Sequence, residues 1–307
     1  MTGPAPARSL VADLLPRCTF PPAGQPLACA VSGGPDSLAL LVLATAAGCQ
    51  VTAVHVDHGL RPTSADEAAV VAAAAGRFGA GFRAERVVVG DGPNLEARAR
   101  AARFAVLPDG VATGHTMDDQ AETVLINLLR GAGLDGVAAM ASGARHPLLG
   151  VRRADTRAVC AAADLHWVSD PSNDDGRYLR NRVRHELLPL LADLAGRDPV
   201  PLLARQAGLA REEASLLDAL AADAVPDPAD AGRLVAAPRP LARRALRRWL
   251  RGSNDHYPPS LAEVERVLAV AAGQATATEL AGGRRVARTA RRLRLESKAF
   301  GDGSVRQ

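Results

Sequence analysis

The chain has 307 residues, 48% hydrophobic and 23% charged, an ordinary balance for a folded globular protein long enough for two domains. Aromatic residues make up only 3%, which argues against nucleic-acid binding by base stacking on an aromatic platform. The formal net charge is +4, and almost all the positive charge is arginine, Lys298 being the sole lysine. A GC-rich coding bias explains that by itself; phosphate recognition by the planar guanidinium is the functional alternative, and clustering has to separate them.

Four cysteines (Cys18, Cys29, Cys49, Cys160) form no CxxC and no zinc-like spacing, which predicts reduced, mostly buried thiols. The N-terminus, MTGPAPARSLVADLLP, lacks a signal-peptide hydrophobic region, and no apolar run is long enough to span a membrane. A cytoplasmic protein with no membrane partner is therefore expected.

In chain order, the run Leu27–Val31 has the length of a buried strand and stops at Ser32-Gly33-Gly34-Pro35-Asp36-Ser37. Leu38–Ala47 then reads as a helix ended by Gly48. Such a strand–turn–helix presents backbone N–H groups and the helix dipole to an anion. It is neither a Walker A loop nor a dinucleotide fingerprint. Gly33 and Gly34 allow close approach, Ser32 and Ser37 add hydroxyls, and Asp36 would repel a phosphate unless a cation such as Mg²⁺ intervened. A tight turn with a helix cap is the plain alternative.

Strands are expected again at 51–56, 82–89 and 111–114. Helices are expected from the Ser64–Glu67 capping box to Ala75, from Asn94 to Leu107, and on to about Leu129. Alternating strands and helices with short links predict an α/β fold, a parallel sheet with helices on both faces. Ser32–Ser37, His55–Arg61 and His115–Glu122 each follow a strand, so all three should converge on the sheet edge where ligands bind. Asp118, Asp119 and Glu122 lie within one helical turn and could orient an incoming ammonium; a Thr116 cap with acids complementing the helix dipole is the structural alternative. His58 and His115 are candidates for nucleotide contact or proton transfer, with His55 expected to be partly buried. His146, His166, His185 and His256 earn no assignment.

Further on, a short strand is expected near Leu148–Val151, then a helix to about Ala163, and a helix over Arg177–Leu191 that Pro189 should kink or end. Pro199 and Pro201 suggest a boundary, giving domains 1–198 and 199–307, the second smaller and mainly helical. Leu202–Ala222 reads as a helix, VPDPADAG as a linker, Leu241–Leu250 as a basic helix, and Thr276–Leu295 as a small hairpin-like β element. Arg177, Arg180, Arg182 and Arg184 form one cluster. Arg239, Arg243, Arg244, Arg247, Arg248 and Arg251 form another, on adjoining stripes of a helix, with Arg284, Arg285 and Arg288 as an extension; phosphate contact is the preferred reading of both.

These residues resemble a known group. SGGPDS is similar to the SGGxDS signature of the PP-loop ATP pyrophosphatases, which are Rossmann-like and cleave ATP between the α and β phosphates. Within them the stretches VSGGPDS, HVDHGLR, NLEARARAARF, GHTMDDQAETVLINLLRGAGLDGVAAM, RHPLL, DPSN and RNRVRHELLPLL resemble the tRNA(Ile)-lysidine synthase family, in order, across roughly residues 27–191. Met117 departs from the small residue common there. The chain resembles the shorter members, without an additional C-terminal domain.

The resemblance implies ligation of L-lysine to C2 of the wobble cytidine in the CAU anticodon of tRNA(Ile), through an adenylated cytidine, with release of pyrophosphate and AMP. It implies ATP and Mg²⁺ held by the loop Ser32–Ser37, with Asp36 on the metal. Asp36, His115, Asp118, Asp119 and Glu122 would be catalytic or lysine-binding, and His58 and Arg61 would meet the nucleotide or cytidine. Arg177, Arg180, Arg182, Arg184, Arg243, Arg244, Arg247 and Arg248 would bind tRNA. The rivals are a tRNA thiolase, for which the chain lacks a CxxC, a non-catalytic tRNA-binding protein, and a small-molecule amide synthetase, which would leave the arginine helix unexplained. Oligomeric state stays open, with a homodimer as the candidate.

Overall fold

The computed structural model describes residues 5–57, 64–87, 98, 102, 105–168, 175–251 and 259–297. The chain forms two compact units, Met1–Arg211 and Glu212–Gln307.

In the first unit, helix α1 (Ala5–Leu14) precedes β1 (Pro26–Ala30), α2 (Pro35–Ala46), β2 (Gln50–Asp57), α3 (Ser64–Phe78) and β3 (Gly81–Arg86). The strands are parallel in the order β1-β2-β3, with Leu27 opposite Val51 and Val54 opposite Arg83. Every residue of α2 from Ser37 to Ala44 is buried, so this helix is hydrophobic all round, as an element enclosed by sheet and neighbouring helices must be. Its end uses Gly48 at φ +83°, a left-handed position whose missing Cβ also lets Ala23 approach.

The strand expected at 111–114 shrinks to a parallel bridge between Cys29 and Ala112, made by Ala30 N–H to Ala112 O and Ala112 N–H to Ala28 O, both 2.8 Å. The chain leaves the sheet there because Thr113 N–H turns to Arg145 O at 2.9 Å. Gly114 then lies so close to α2 that a Cβ would stand 2.7 Å from Asp36 O. This close approach seats the segment after Gly114 against the first turn of α2. The third strand ends at Arg86 rather than Val89; the expected helix over Asn94–Leu107 falls largely outside the described residues.

Helix α4 (Met117–Leu129) leads through the short α5 (Leu134–Val137) to a buried turn, then α6 (Arg153–Ala162). Leu148–Val151, expected as a strand, is that turn: Val151 N–H bonds Leu148 O, and a Cβ on Gly150 would collide with Arg17 O. A short apolar run is as compatible with a buried turn as with a strand. Next come α7 (Leu179–Arg182), one π turn (Val183–Leu187) and α8 (Leu188–Ala195). Pro189 therefore neither stops the helix nor occupies its middle. The wider π turn precedes it and absorbs the missing N–H and the ring's clash with the preceding turn.

Helix α9 (Val200–Ala224) runs across the division between the units. The second unit continues with α10 (Ala231–Ala236), α11 (Arg239–Arg251), α12 (Leu261–Ala271) and an antiparallel sheet of β4 (Ala277–Glu279), β5 (Arg284–Thr289) and β6 (Arg292–Ser297). Leu234, Leu246, Leu250, Val267, Val270 and Val286 form its core. Among the described residues, no helix is long and apolar enough to cross a membrane.

Candidate active site

The turn between β1 and α2 is built as an anion cradle. Gly33 adopts φ +86°, which favours glycine, and Gly34 caps α2 in an extended conformation with Pro35 in the first helical turn. Ser37 closes the turn: its hydroxyl donates to Gly34 O at 2.9 Å and accepts Ser32 N–H at 3.1 Å, with Ser32 Oγ 3.3 Å away. Leu38 N–H is the first amide of α2 to bond back, to Gly34 O. The amides of Asp36 and Ser37 thus belong to the first turn that a helix leaves unpaired.

Asp36 stands at the mouth of this turn, with 28% of its side chain exposed. Its Oδ1 accepts the Thr156 hydroxyl, and its Oδ2 lies 3.6 Å from Arg153 Nε. Burial pushes its carboxyl above the ordinary range, partly offset by the Thr156 bond.

Two of the three acids of α4 face the same guanidinium. Arg153 donates from Nη2 to Asp119 at 2.8 Å and from Nη1 to Glu122 at 2.9 Å, linking both to Asp36. Glu122, whose side chain is fully buried, also accepts Arg184 Nε at 2.7 Å and Nη2 at 3.1 Å, with Arg180 Nε 3.6 Å away. Arg180 also donates to Thr123 Oγ1. Asp118 is occupied differently: it takes a two-pronged bond from Arg152, both contacts at 3.1 Å, and the Arg153 amide at 2.8 Å. Thr116 and Asp119 make a reciprocal capping box, so Asp119 serves both the helix and the cluster.

Burial alone would raise Asp119, but the charge of Arg153 and the bonds from Thr116 overcome it and hold the carboxyl below its usual range. Asp118 is likewise held low, burial being outweighed by its Arg152 and Arg153 bonds. Burial opposes the charge on Arg153, yet Asp119, Glu122 and Asp36 raise its pKa well above the arginine norm. Within the cluster each carboxylate of α4 is matched by at least one guanidinium. His115 lies near enough to Asp119 to help hold it low, and its Nδ1 is 2.6 Å from Thr113 Oγ1, which also meets His146 Nδ1 at 2.9 Å, the two rings lying edge to face.

The structure thus gathers the loop Ser32–Ser37, Asp118, Asp119, Glu122, Arg180 and Arg184. Arg177 pairs instead with Asp175, and Arg182 with Glu186 at 3.0 Å, both on the exposed side. His58 and Arg61 lie outside the described residues. So do Asp170–Asn173 of the DPSN stretch.

Sequence reasoning missed Arg152, Arg153, Thr156, Thr113 and His146. A signal existed for the first two. Paired arginines at a helix N-terminus oppose the helix dipole, so their placement implies acids waiting for them.

Residues 11–191 match the PP-loop domain family, and residues 230–294 match the TilS substrate binding domain. The chain is 46% identical over 255 residues to the tRNA(Ile)-lysidine synthase of Nocardia farcinica, covering 78% of this chain and 80% of that one. It is 47% identical over 234 residues to that of Mycolicibacterium paratuberculosis, covering 72% and 73%. The chain belongs to the tRNA(Ile)-lysidine synthase family. A solved structure of the U34-tRNA thiolase NcsA from Methanococcus maripaludis is similar at 14% identity and TM-score 0.53, over 66% of this chain and 80% of that chain, a likeness of fold. In this lysidine synthase family member, the loop at Ser32–Ser37 lies within the residues that match the PP-loop domain.

In the second unit, α11 carries its arginines on one side and Leu246 and Leu250 in the core. Arg239 and Arg243 share Glu265, and Arg244 pairs with Asp218 at 2.6 Å. Arg247 is half-buried, and Arg248 and Arg251 are exposed. Arg284 and Arg288 turn inward to the C-terminal carbonyls of the two helices, Leu250 O at 2.6 Å and Ala271 O at 2.7 Å, a structural use of cations at helix ends. Only Arg285 of that expected extension stays on the surface.

Proposed function

We propose that this chain ligates L-lysine to C2 of the wobble cytidine of tRNA(Ile) carrying a CAU anticodon, at the expense of ATP. The observation that carries the reading is the Arg153 guanidinium, which ties Asp36 at the phosphate loop to Asp119 and Glu122. It brings a phosphate cradle and a set of arginine-paired carboxylates into one site. The cytidine O2 attacks the α-phosphorus, the bond to the β-phosphate breaks, and pyrophosphate leaves. The lysine ε-amine then forms the C2–N bond, the C2–O bond breaks, AMP leaves, and the ammonium proton is lost.

The loop amides and α2 dipole would hold the pyrophosphate portion of ATP. Mg²⁺ binds in such sites through one or two carboxylates plus substrate phosphates, and Asp36, a single partly exposed carboxylate at the loop's mouth, suits that mode. Bound there, the ion would neutralise charge developing on the leaving pyrophosphate. Asp118, Asp119 and Glu122 are the candidate ammonium site, each of them paired with an arginine that the incoming amine would displace or share. His115, held through Thr113, is the candidate for proton transfer. Residues 1–198 would form the ATP-binding catalytic domain and 199–307 a basic tRNA-binding domain, with phosphate contact by α11. A homodimer remains the candidate assembly.

The thiol chemistry disfavours the thiolase alternative. Burial pushes Cys18 up to about 11 and Cys29 and Cys160 up to about 12, whereas reactive thiols are exposed and lowered.

Incubating the protein with ATP, Mg²⁺, labelled lysine and this tRNA should transfer label to the tRNA only when ATP is present. A folded protein that binds the tRNA yet transfers none would refute the reading. Asp36→Ala should abolish ATP-dependent turnover while keeping most tRNA affinity; loss of tRNA binding with turnover intact would show the loop to be misassigned.

A further inference from the structure

His55 lies on β2 and is 2% exposed. Its Nδ1 is 2.9 Å from Val31 O, the carbonyl one residue beyond the end of β1 and immediately before the phosphate loop. The amide of the same residue donates to Val54 O at 2.9 Å. Val31 is therefore pinned to β2 at both of its peptide groups, by the backbone on one side and by an imidazole on the other. A carbonyl only accepts, so Nδ1 must carry the proton, and in the neutral ring Nε2 is then a bare acceptor. That Nε2 is buried and has no hydrogen-bond partner among the described residues.

An unsatisfied buried acceptor works against the fold, so this imidazole is not accounted for by stability. A leucine would fill the space without leaving a stranded nitrogen. What the imidazole supplies is one directed N–H at the point where the chain leaves the sheet. The Val31–Ser32 peptide is thus held at both of its polar atoms, its carbonyl by His55 and its N–H by the Ser37 hydroxyl at 3.1 Å, and Ser32, Gly33 and Gly34 take their direction from it.

We propose that His55 is a positioning residue for the phosphate loop, its Nδ1–H fixing the Val31 carbonyl so that the loop amides are aimed before the nucleotide arrives. This rests on the loop being the ATP site. Its consequence is specific: the function resides in Nδ1, so asparagine, whose amide nitrogen occupies the Nδ1 position, should substitute, and glutamine, whose amide nitrogen occupies the Nε2 position, should not.

The test is ATP affinity and lysidine-forming kinetics for wild type, His55→Asn and His55→Gln, with thermal melting on each. His55→Gln should weaken ATP about tenfold, the loss of one directed hydrogen bond, in KM for ATP with kcat little changed. His55→Asn should stay within about threefold of wild type. Equal behaviour of the two variants, or a fall in kcat at unchanged KM, overturns the assignment. Nitrogen NMR of the wild-type imidazole keeps the test decisive if a variant does not fold: His55 must show a protonated Nδ1 and a bare Nε2, and the opposite tautomer refutes it. If wild type itself fails to bind ATP, the loop reading falls rather than the role of His55.

Discussion

In the unit Met1–Arg211, Arg152, Arg153 and Arg184 are largely buried and each faces a carboxylate of α4. On α11 of the unit Glu212–Gln307, Arg239 and Arg243 share one glutamate at the surface, and Arg248 and Arg251 face solvent. Both regions are dense in arginine in the sequence, but the energetics differ. Charges withdrawn from water must be paired nearly one for one, because an uncompensated buried ion costs several kcal/mol. Charges on an exposed helix face carry little folding energy and stay available to an incoming polyanion. A run of arginines is thus open to phosphate only in part: on α11, Arg239, Arg243 and Arg244 already face acids, whereas Arg248 and Arg251 face solvent.

The largest effect should come from breaking the buried side of this contrast. Glu122→Gln leaves Arg153 and Arg184 facing a neutral amide in a fully buried position. It should destabilise the first unit by roughly 3–5 kcal/mol, as removal of one partner from a buried pair does. Urea unfolding reads this directly. A loss under about 1 kcal/mol would mean that water or a shifted arginine already compensates the site.

The loop was legible because its chemistry is local. Glycine at a left-handed φ, proline in the first helical turn and serine folding back over five residues are all properties of one short stretch. The meeting of two of the three expected clusters, Ser32–Ser37 and His115–Glu122, was likewise readable from the alternation of strands and helices; the third, His55–Arg61, lies largely outside the described residues. The acid–arginine cluster was only half readable: Asp118, Asp119 and Glu122 stand out on one helical turn, but Arg152 and Arg153 lie more than 30 residues away and meet them through tertiary packing. Arg180 and Arg184 were picked as tRNA contacts for their density, yet in the structure they face Glu122. The Leu148–Val151 run misled for a related reason, since burial without periodicity does not distinguish a strand from a turn. Pro189 misled less: the break it demands is present, taken up as one π turn before it.

The exposed side should respond in the opposite way. The double substitution Arg248→Ala, Arg251→Ala should leave stability within about 0.5 kcal/mol, as surface changes away from buried partners do. The same protein should bind tRNA more weakly, and the slope of log affinity against log salt should fall by about 1 to 2, one phosphate contact per arginine. Filter binding across a salt series checks both. An unchanged slope would move the tRNA surface off α11.

The smallest effect separates two carboxylates that occupy the same place in the same local motif. Asp119 and Glu263 are each the third helical residue of a capping box, Asp119 with Thr116 and Glu263 with Ser260. Asp119 is buried against Arg153, while Glu263 accepts the backbone amides of Ala281 and Ser260 near the surface, and these bonds lower its pKa to about 2. A lowered folded-state pKa contributes stability above the unfolded value, and that stability is lost as pH falls through the folded value. Glu263→Gln should therefore cost about 1 kcal/mol near neutral pH, a typical capping loss. The difference between variant and wild type should shrink below the ordinary glutamate range and vanish near pH 2. Melting curves of the two proteins across that range isolate this group from the other titrating acids, because only the difference is read. A gap that stays constant with pH would assign the stabilisation to the shape of the cap rather than to its charge.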